Sequence, residues 1–222
     1  MSPPMPLCFV RRGALAPLGA TAADLPAATA AALGEVLPLL GCGEEAASLA
    51  FAAMAANRRL APAAAAALAA IARDEAQHDA LLKGLLAALP APADPEPVLA
   101  AAQAMHVSLG RTLITGRLAR VAGLDSAVCL ILARVLRRLP AASDTARVLR
   151  RIHADEARHV AIAGNIAAGM GVMTALKDEA AHARALLVAV IGHVGAAFDG
   201  LGVEPDRLRR DLARLPAGLF AA

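Results

Sequence analysis

Two copies of one five-residue sequence motif, called a word below, could hold metal ions in this chain. They are Asp74-Glu75-Ala76-Gln77-His78 and Asp155-Glu156-Ala157-Arg158-His159. Residues three positions apart share one face of a helix, so each copy would aim a carboxylate and an imidazole at one point. Two such helices facing each other would supply two Glu and two His side chains. That is roughly half to two-thirds of the ligands that a two-metal site in a helix bundle requires.

The remaining ligands are predicted in the helices that precede the two words. Glu44 lies 31 residues before Glu75, and Asp125 lies 31 residues before Glu156. Both acids follow a glycine at a predicted helix start. Asp125 has no competing acid in its predicted hairpin, whereas Glu45 competes with Glu44. The sequence therefore offers one further carboxylate for each half of the site.

The composition predicts an all-α chain. Of the 222 residues, 58% are hydrophobic, and the excess comes largely from alanine, the strongest helix former. There is no Trp or Tyr and there are four Phe. A tyrosyl radical therefore cannot be stored, and bases would find few aromatic surfaces to stack on, so nucleic-acid binding is not expected.

The helical pattern divides the chain into two similar halves within a single predicted domain, 1–222. The first helix hairpin spans about 44–89, a proline-rich linker spans 90–97, and the second half spans about 98–171. Additional C-terminal helices are predicted over 173–214. Glycines at 41, 43 and 123 are interpreted as helix breaks. Such duplicated hairpins predict a pseudosymmetric four-helix bundle that brings the two words together.

The pattern Glu44-x-x-Ala47-Ser48-x-x-Phe51-x-x-Met54 resembles the first metal-ligand helix of ferritins, which favours Glu44 over Glu45. With the paired words, residues of about 40–170 resemble the ferritin-like superfamily of di-metal carboxylate proteins. The resemblance implies two iron ions, or a manganese and iron pair, with O₂ as co-substrate. The two ligand sets are then Glu44, Glu75 and His78 for one metal, and Asp125, Glu156 and His159 for the other.

The acid that begins each word has a second predicted role. In ferritin-like oxygenases and reductases, an Asp at the position of Asp74 and Asp155 hydrogen-bonds a ligand imidazole, and such a partner orients the ring. A solvated helix Asp is the alternative. His153 resembles an extra histidine of the p-aminobenzoate N-oxygenase type, although its spacing differs by one residue. Its alternative is an ordinary polar or buried histidine.

A third word, Asp178-Glu179-Ala180-Ala181-His182, follows the glycines at 169 and 171. If these glycines form the turn of an antiparallel helix hairpin, His182 lies at the height of His159. Glu179 and His182 could then supply an extra ligand, a proton donor or a substrate contact. The alternative is a surface-facing polar stripe.

Three functions remain open. The first is an O₂-using oxidase or oxygenase acting on a small organic substrate, free or carrier-bound, with an electron donor. The second is a metal-handling ferroxidase, which the modest total of 19 acids disfavours. The third is a metal-free structural bundle. Arginine clusters could dock an acidic carrier protein, and a homodimer is a further option. Three cysteines without a CxxC pair indicate a reduced cytoplasm, and no membrane span is expected.

Overall fold

The computed structural model describes residues 24–171 and 173–215, and within them every regular element is helical. This confirms the predicted all-α bundle. The helices are α1 (Ala27–Ala55), α2 (Pro62–Ala88), α3 (Glu96–Leu109), α4 (Ile114–Leu136), α5 (Asp144–Met170), α6 (Met173–Ile191), α7 (Gly195–Gly200) and α8 (Pro205–Ala213), with a short 3-10 turn, Gly192–Val194, between α6 and α7.

Two hairpins form the centre of the structure. α1 packs along α2, and α4 packs along α5. The Ser48 hydroxyl on α1 donates a hydrogen bond to the Ala72 carbonyl on α2, over 3.1 Å. The hairpins meet where α2 contacts α5, while α3 packs against α1 and α6, and α6 packs along α4. This arrangement leaves α4 between α5 and α6.

Local sequence explains where two of these helices begin. α2 starts at Pro62, where the missing N–H costs nothing because the first turn has no intrahelical acceptor for it. α5 starts after Ser143, whose hydroxyl accepts a hydrogen bond from the Ala146 N–H over 3.1 Å. An N-cap of this kind stabilises a helix by about 1 kcal/mol.

The predicted break at residues 41–43 is wrong, because α1 runs through it as one helix of 29 residues. Gly41 and Gly43 each cost about 1 kcal/mol relative to alanine in a helix interior. The buried side chains on both sides of them, from Leu33 to Phe51, offset that cost by packing against α2 and the rest of the core. Tertiary packing thus overrides local propensity.

The predicted break at Gly123 is also wrong, and the real interruption lies at residues 110–113, between α3 and α4. A Cβ atom on Gly123 would lie 2.8 Å from both the Cα and the carbonyl oxygen of Ala180. Gly123 therefore permits the close approach of α4 and α6. The helix predicted over 174–198 is likewise interrupted, by the 3-10 turn at Gly192.

Two apolar clusters fill the bundle, and a polar layer separates them. One cluster holds Phe51, Leu68 and Ile71 with neighbouring alanines. The larger cluster includes Leu82 and Leu149. Along each of α1, α2, α4 and α5, the buried residues pass from one cluster to the other, and buried acids or histidines lie between them. The polar layer is therefore enclosed by hydrophobic core above and below.

Two segments within the described residues, Ala27–Ala55 and Thr174–Gly200, are long and apolar enough by composition to cross a membrane. Half of the apolar window in the first and 39% of that in the second are buried inside the structure. Core helices of soluble proteins have the same properties, so these segments are weak support for a membrane location.

Candidate metal centre

The six predicted ligands lie together in the polar layer. α1 supplies one, α2 two, α4 one and α5 two, and each side chain is at most 6% exposed. They are Glu44, Glu75, His78, Asp125, Glu156 and His159. Ligand atoms of four of them, Glu44, Glu75, His78 and Glu156, all lie within 4.8 Å of one another. The structure thus shows a buried carboxylate and histidine cluster that could hold a metal ion.

The His78 imidazole presents its Nδ1 atom to three carboxylates. That atom lies 3.2 Å from Glu44 Oε2, 3.3 Å from Glu156 Oε1 and 3.6 Å from Glu75 Oε2. Acids from α1, α2 and α5 therefore converge on one imidazole nitrogen.

The His159 imidazole is arranged in a similar way. Its Nδ1 atom lies 2.8 Å from Glu75 Oε1 and 3.6 Å from Glu156 Oε1, and its ring stacks on that of His78 with centroids 5.8 Å apart. The two oxygens of Glu75 therefore face different imidazoles, and Glu156 Oε1 approaches both. Glu75 and Glu156 therefore each connect the two imidazoles.

Burial and mutual repulsion shift the pKa values of the acids. Burial, reinforced by the charges of Glu75 and Glu156, raises the pKa of Glu44 well above its usual range. Burial and the Glu156 charge do the same to the pKa of Asp125. Burial also raises the pKa of Glu75, but hydrogen bonds from His159 and His78 outweigh it and lower that pKa to about 2.

The imidazoles shift in the opposite sense. Burial lowers the pKa of His159, but hydrogen bonds with Glu156 and Glu75 outweigh burial and raise it to about 10. The pKa of His78 rises further, because Glu156, Glu44 and Glu75 all favour its charged form over the cost of burial. Without metal, both imidazoles therefore favour their charged form beside these carboxylates.

The side chains of the cluster are better suited to coordinating metal ions than to forming hydrogen bonds with one another. One buried ligand atom of the cluster, Asp125 Oδ2, has no hydrogen-bond or ion-pair partner among the described residues. An unsatisfied buried polar atom costs about 1–3 kcal/mol, and metal coordination would remove that cost. Four ionised carboxylates would also balance the charge of two divalent cations, with both imidazoles neutral.

The aspartates that begin the two words contact the Nε2 atoms of the imidazoles. Each aspartate contacts the histidine of the other word, across the bundle. Asp155 on α5 lies with Oδ2 3.1 Å from His78 Nε2 on α2. Asp74 on α2 lies with Oδ2 3.4 Å from His159 Nε2 on α5. Each Nε2–H can therefore donate to an aspartate, which leaves Nδ1 free to face the cluster. The crossing between helices is a feature that spacing alone does not reveal.

Arg158 connects the two aspartates, and no sequence motif marks it as a site residue. Its terminal nitrogens donate to Asp155 Oδ1 over 2.8 Å and to Asp74 Oδ2 over 2.9 Å. The side chain is 51% exposed, so it closes the solvent side of the network. Hydrogen bonds from His78 and Arg158 overcome partial burial and lower the pKa of Asp155, which stays ionised.

A cavity of about 330 Å³ reaches the cluster, and neither these aspartates nor the two imidazoles line it. The four ligand carboxylates Glu44, Glu75, Asp125 and Glu156 line it. The rest of its wall is largely apolar, with leucines, valines and alanines from α1 and α4. A cavity of this size and composition is typical of small-molecule sites.

Three residues predicted near the site are not placed there. His153 is half-buried, and the described contacts of the cluster do not include it. His182 is exposed, and Glu179 binds Arg120 instead, with Oε2 2.5 Å from Arg120 Nε. The assumed α5–α6 hairpin register is wrong because α6 packs mainly along α4. Its third word therefore faces α4 and solvent.

No family model, no curated protein and no solved structure matches the chain. The function is therefore inferred from the geometry of the cluster and the cavity.

Proposed function

We propose that this chain is a ferritin-like di-metal carboxylate protein that uses O₂ to oxidise a small organic substrate. One observation carries the proposal, namely that a buried set of four carboxylates and two imidazoles opens onto an apolar cavity through its carboxylates. Mixed carboxylate and imidazole ligands suit iron or a manganese and iron pair. A bound pair of such ions would supply the oxidation chemistry, while the protein supplies position and environment.

The ligands divide between two metal positions. Glu44, Glu75 and His78 would hold one ion, and Asp125, Glu156 and His159 the other. The two oxygens of Glu75 face different imidazoles, which supports a bridging role for it. The approach of Glu156 Oε1 to both imidazoles supports the same role for Glu156.

The surrounding residues would orient the ligands and exclude water. Asp155 and Asp74 keep the proton of each imidazole on Nε2, so that the Nδ1 lone pair is available to a metal. The carboxylates are at most 6% exposed, and the cavity wall around them is largely apolar. In a dry site, electrostatic interactions with reacting groups are stronger than in water.

The cavity favours substrate oxidation over metal handling. A ferroxidase needs a route for iron, and polar or acidic residues would be expected along it. The wall of this cavity is instead apolar apart from the ligands and a few residues at one end. The metal-free structural alternative leaves the buried Asp125 Oδ2 atom without a partner and buries four carboxylates side by side. An electron donor, an acidic carrier protein, a homodimer and a cytoplasmic location remain predictions.

The proposal can be tested by oxygen uptake. Purified protein loaded anaerobically with two equivalents of iron(II) should consume O₂ repeatedly when a reductant is supplied, and a substrate should couple that uptake to product. Glu156→Ala should lose both metal binding and O₂ uptake, whereas the exposed Glu96→Ala on α3 should retain both. A single uptake of O₂ followed by accumulation of iron(III) would instead support the ferroxidase alternative.

A further inference from the structure

One end of the cavity is chemically different from the rest. The α4 residues that line it include Arg117, Val121, Asp125 and Val128, which recur at helical spacing on one face. Arg117 lies eight residues before the metal ligand Asp125, about 12 Å along the helix axis at 1.5 Å per residue. The cavity therefore extends from the carboxylate cluster to a cationic end beside the α3–α4 connection.

Arg117 has unused hydrogen-bond donors at that end. Its Nε donates to the Thr112 carbonyl over 3.2 Å. Its two terminal nitrogens take part in none of the hydrogen bonds or ion pairs found among the described residues, although the side chain is half-buried. The planar end of a guanidinium binds a carboxylate through two parallel hydrogen bonds.

The neighbouring cation is already committed. Arg120 also lines the cavity, but its Nε binds Glu179 and its Nη1 donates to the carbonyls of Ser108 and Leu109, each over 3.2 Å. Arg117 is therefore the cation at this end that remains available to a ligand.

The opposite end of the cavity is apolar. Beyond Asp125 its wall is formed by aliphatic and aromatic side chains, which are Val128, Ile131, Leu132, Val135, Leu149 and Phe198. A volume of about 330 Å³ corresponds to roughly eleven water molecules at about 30 Å³ each, or a ligand with a similar number of non-hydrogen atoms.

We infer that the site binds an amphipathic monocarboxylate, with its carboxylate on Arg117 and its apolar body extending past the metal ligands into the apolar end. The orientation follows from charge, because a carboxylate placed among Glu44, Asp125 and the other ligand acids would be repelled, whereas Arg117 attracts it. This assignment rests on the proposed function, because the bound molecule is taken as its substrate. The reacting carbon would then lie in the body of the molecule, away from its carboxylate.

Calorimetric titration with decanoate and with uncharged 1-decanol tests the assignment. Decanoate should bind the full chain more tightly than decanol does. Arg117→Gln should weaken decanoate binding about tenfold or more, because a hydrogen-bonded ion pair is lost, while decanol binding changes little. Arg117→Lys should recover part of the affinity. Arg111→Gln is the matched control, since Arg111 is an exposed arginine of the same connection and does not line the cavity.

A second pair of variants tests whether the ligand occupies the cavity. A Cβ atom on Gly43 would meet nothing within 4 Å, and Gly43 lines the cavity, so Gly43→Leu should fill it and abolish binding of both ligands. Gly169→Leu, at an exposed and equally open glycine on α5, should leave binding unchanged.

Several results would overturn the assignment. They are no binding of decanoate, equal affinity for decanoate and decanol, an Arg117→Gln effect no larger than that of Arg111→Gln, and unchanged binding in Gly43→Leu. Titrations of metal-free and metal-loaded protein separate the two proposals. Absence of metal binding refutes the proposed function whatever decanoate does, whereas absence of decanoate binding in a chain that holds two metals refutes only the carboxylate assignment.

Discussion

Removal of the negative charge of Asp155, which contacts the His78 imidazole, should weaken metal binding without abolishing it. In the wild type, His78 Nε2 lies 3.1 Å from Asp155 Oδ2. In Asp155→Asn, the side chain keeps its size and one oxygen that can accept a hydrogen bond from that nitrogen. The negative charge that raises the basicity of the imidazole is lost. Changes to partners of this kind cost about 10–100-fold in metal affinity. Because one acceptor oxygen remains, we expect the lower end, about tenfold or about 1.4 kcal/mol.

Competition with a chelator of known affinity, under anaerobic conditions, would measure this change. The control is Asp178→Asn, because Asp178 begins the third copy of the word but is exposed on α6. Wild type and Asp178→Asn should be indistinguishable. If Asp155→Asn altered affinity by less than about twofold, or by no more than Asp178→Asn, the aspartate would not support the ligand imidazole and the reasoning would be refuted.

Three further predictions concern packing, protons and the third word. Gly123→Ala should destabilise the fold by about 1–3 kcal/mol through the clash with Ala180, whereas Gly43→Ala should stabilise it by up to about 1 kcal/mol; denaturant unfolding would measure both, and equal effects would contradict the packing. Because both cluster imidazoles have raised pKa values, their stabilisation of the metal-free fold should be complete below pH 6.5. The His159 contribution should disappear as the pH rises through about 10 and the His78 contribution at higher pH, while apparent metal affinity increases; a pH-independent affinity would contradict this. His182→Ala should leave metal content and turnover unchanged, because that side chain is exposed on α6, and a clear loss of turnover would restore it to the site.

The ligand set was accessible to sequence reasoning because it depends on local spacing. Glu75 and His78 lie three residues apart on one helix, and the step of 31 residues back to Glu44 matches a hairpin of two long helices. Repetition of the same spacing with Asp125 and Glu156 fixed the second half. The structure brings all of these side chains into one buried layer.

Other features depend on how separate helices meet, which spacing does not encode. A glycine such as Gly123 is typical of a helix break, yet here it lies inside α4 and permits close contact with Ala180 on α6. His182 shares the word of the ligand helices, but α6 packs along α4, which turns that word away from the cluster. Arg158 is ordinary in sequence and acquires its position only because α2 and α5 run side by side.

The direct test of the central claim is the metal content of the chain after anaerobic loading with iron(II) and removal of excess metal, followed by the near-ultraviolet spectrum on admission of O₂. The absence of Trp and Tyr leaves that region nearly free of protein absorbance. We predict two irons per chain in the wild type, their loss in Glu156→Ala, and a new absorption band when O₂ is added. Iron at well below one equivalent per chain, with manganese equally unbound, would contradict a di-metal centre.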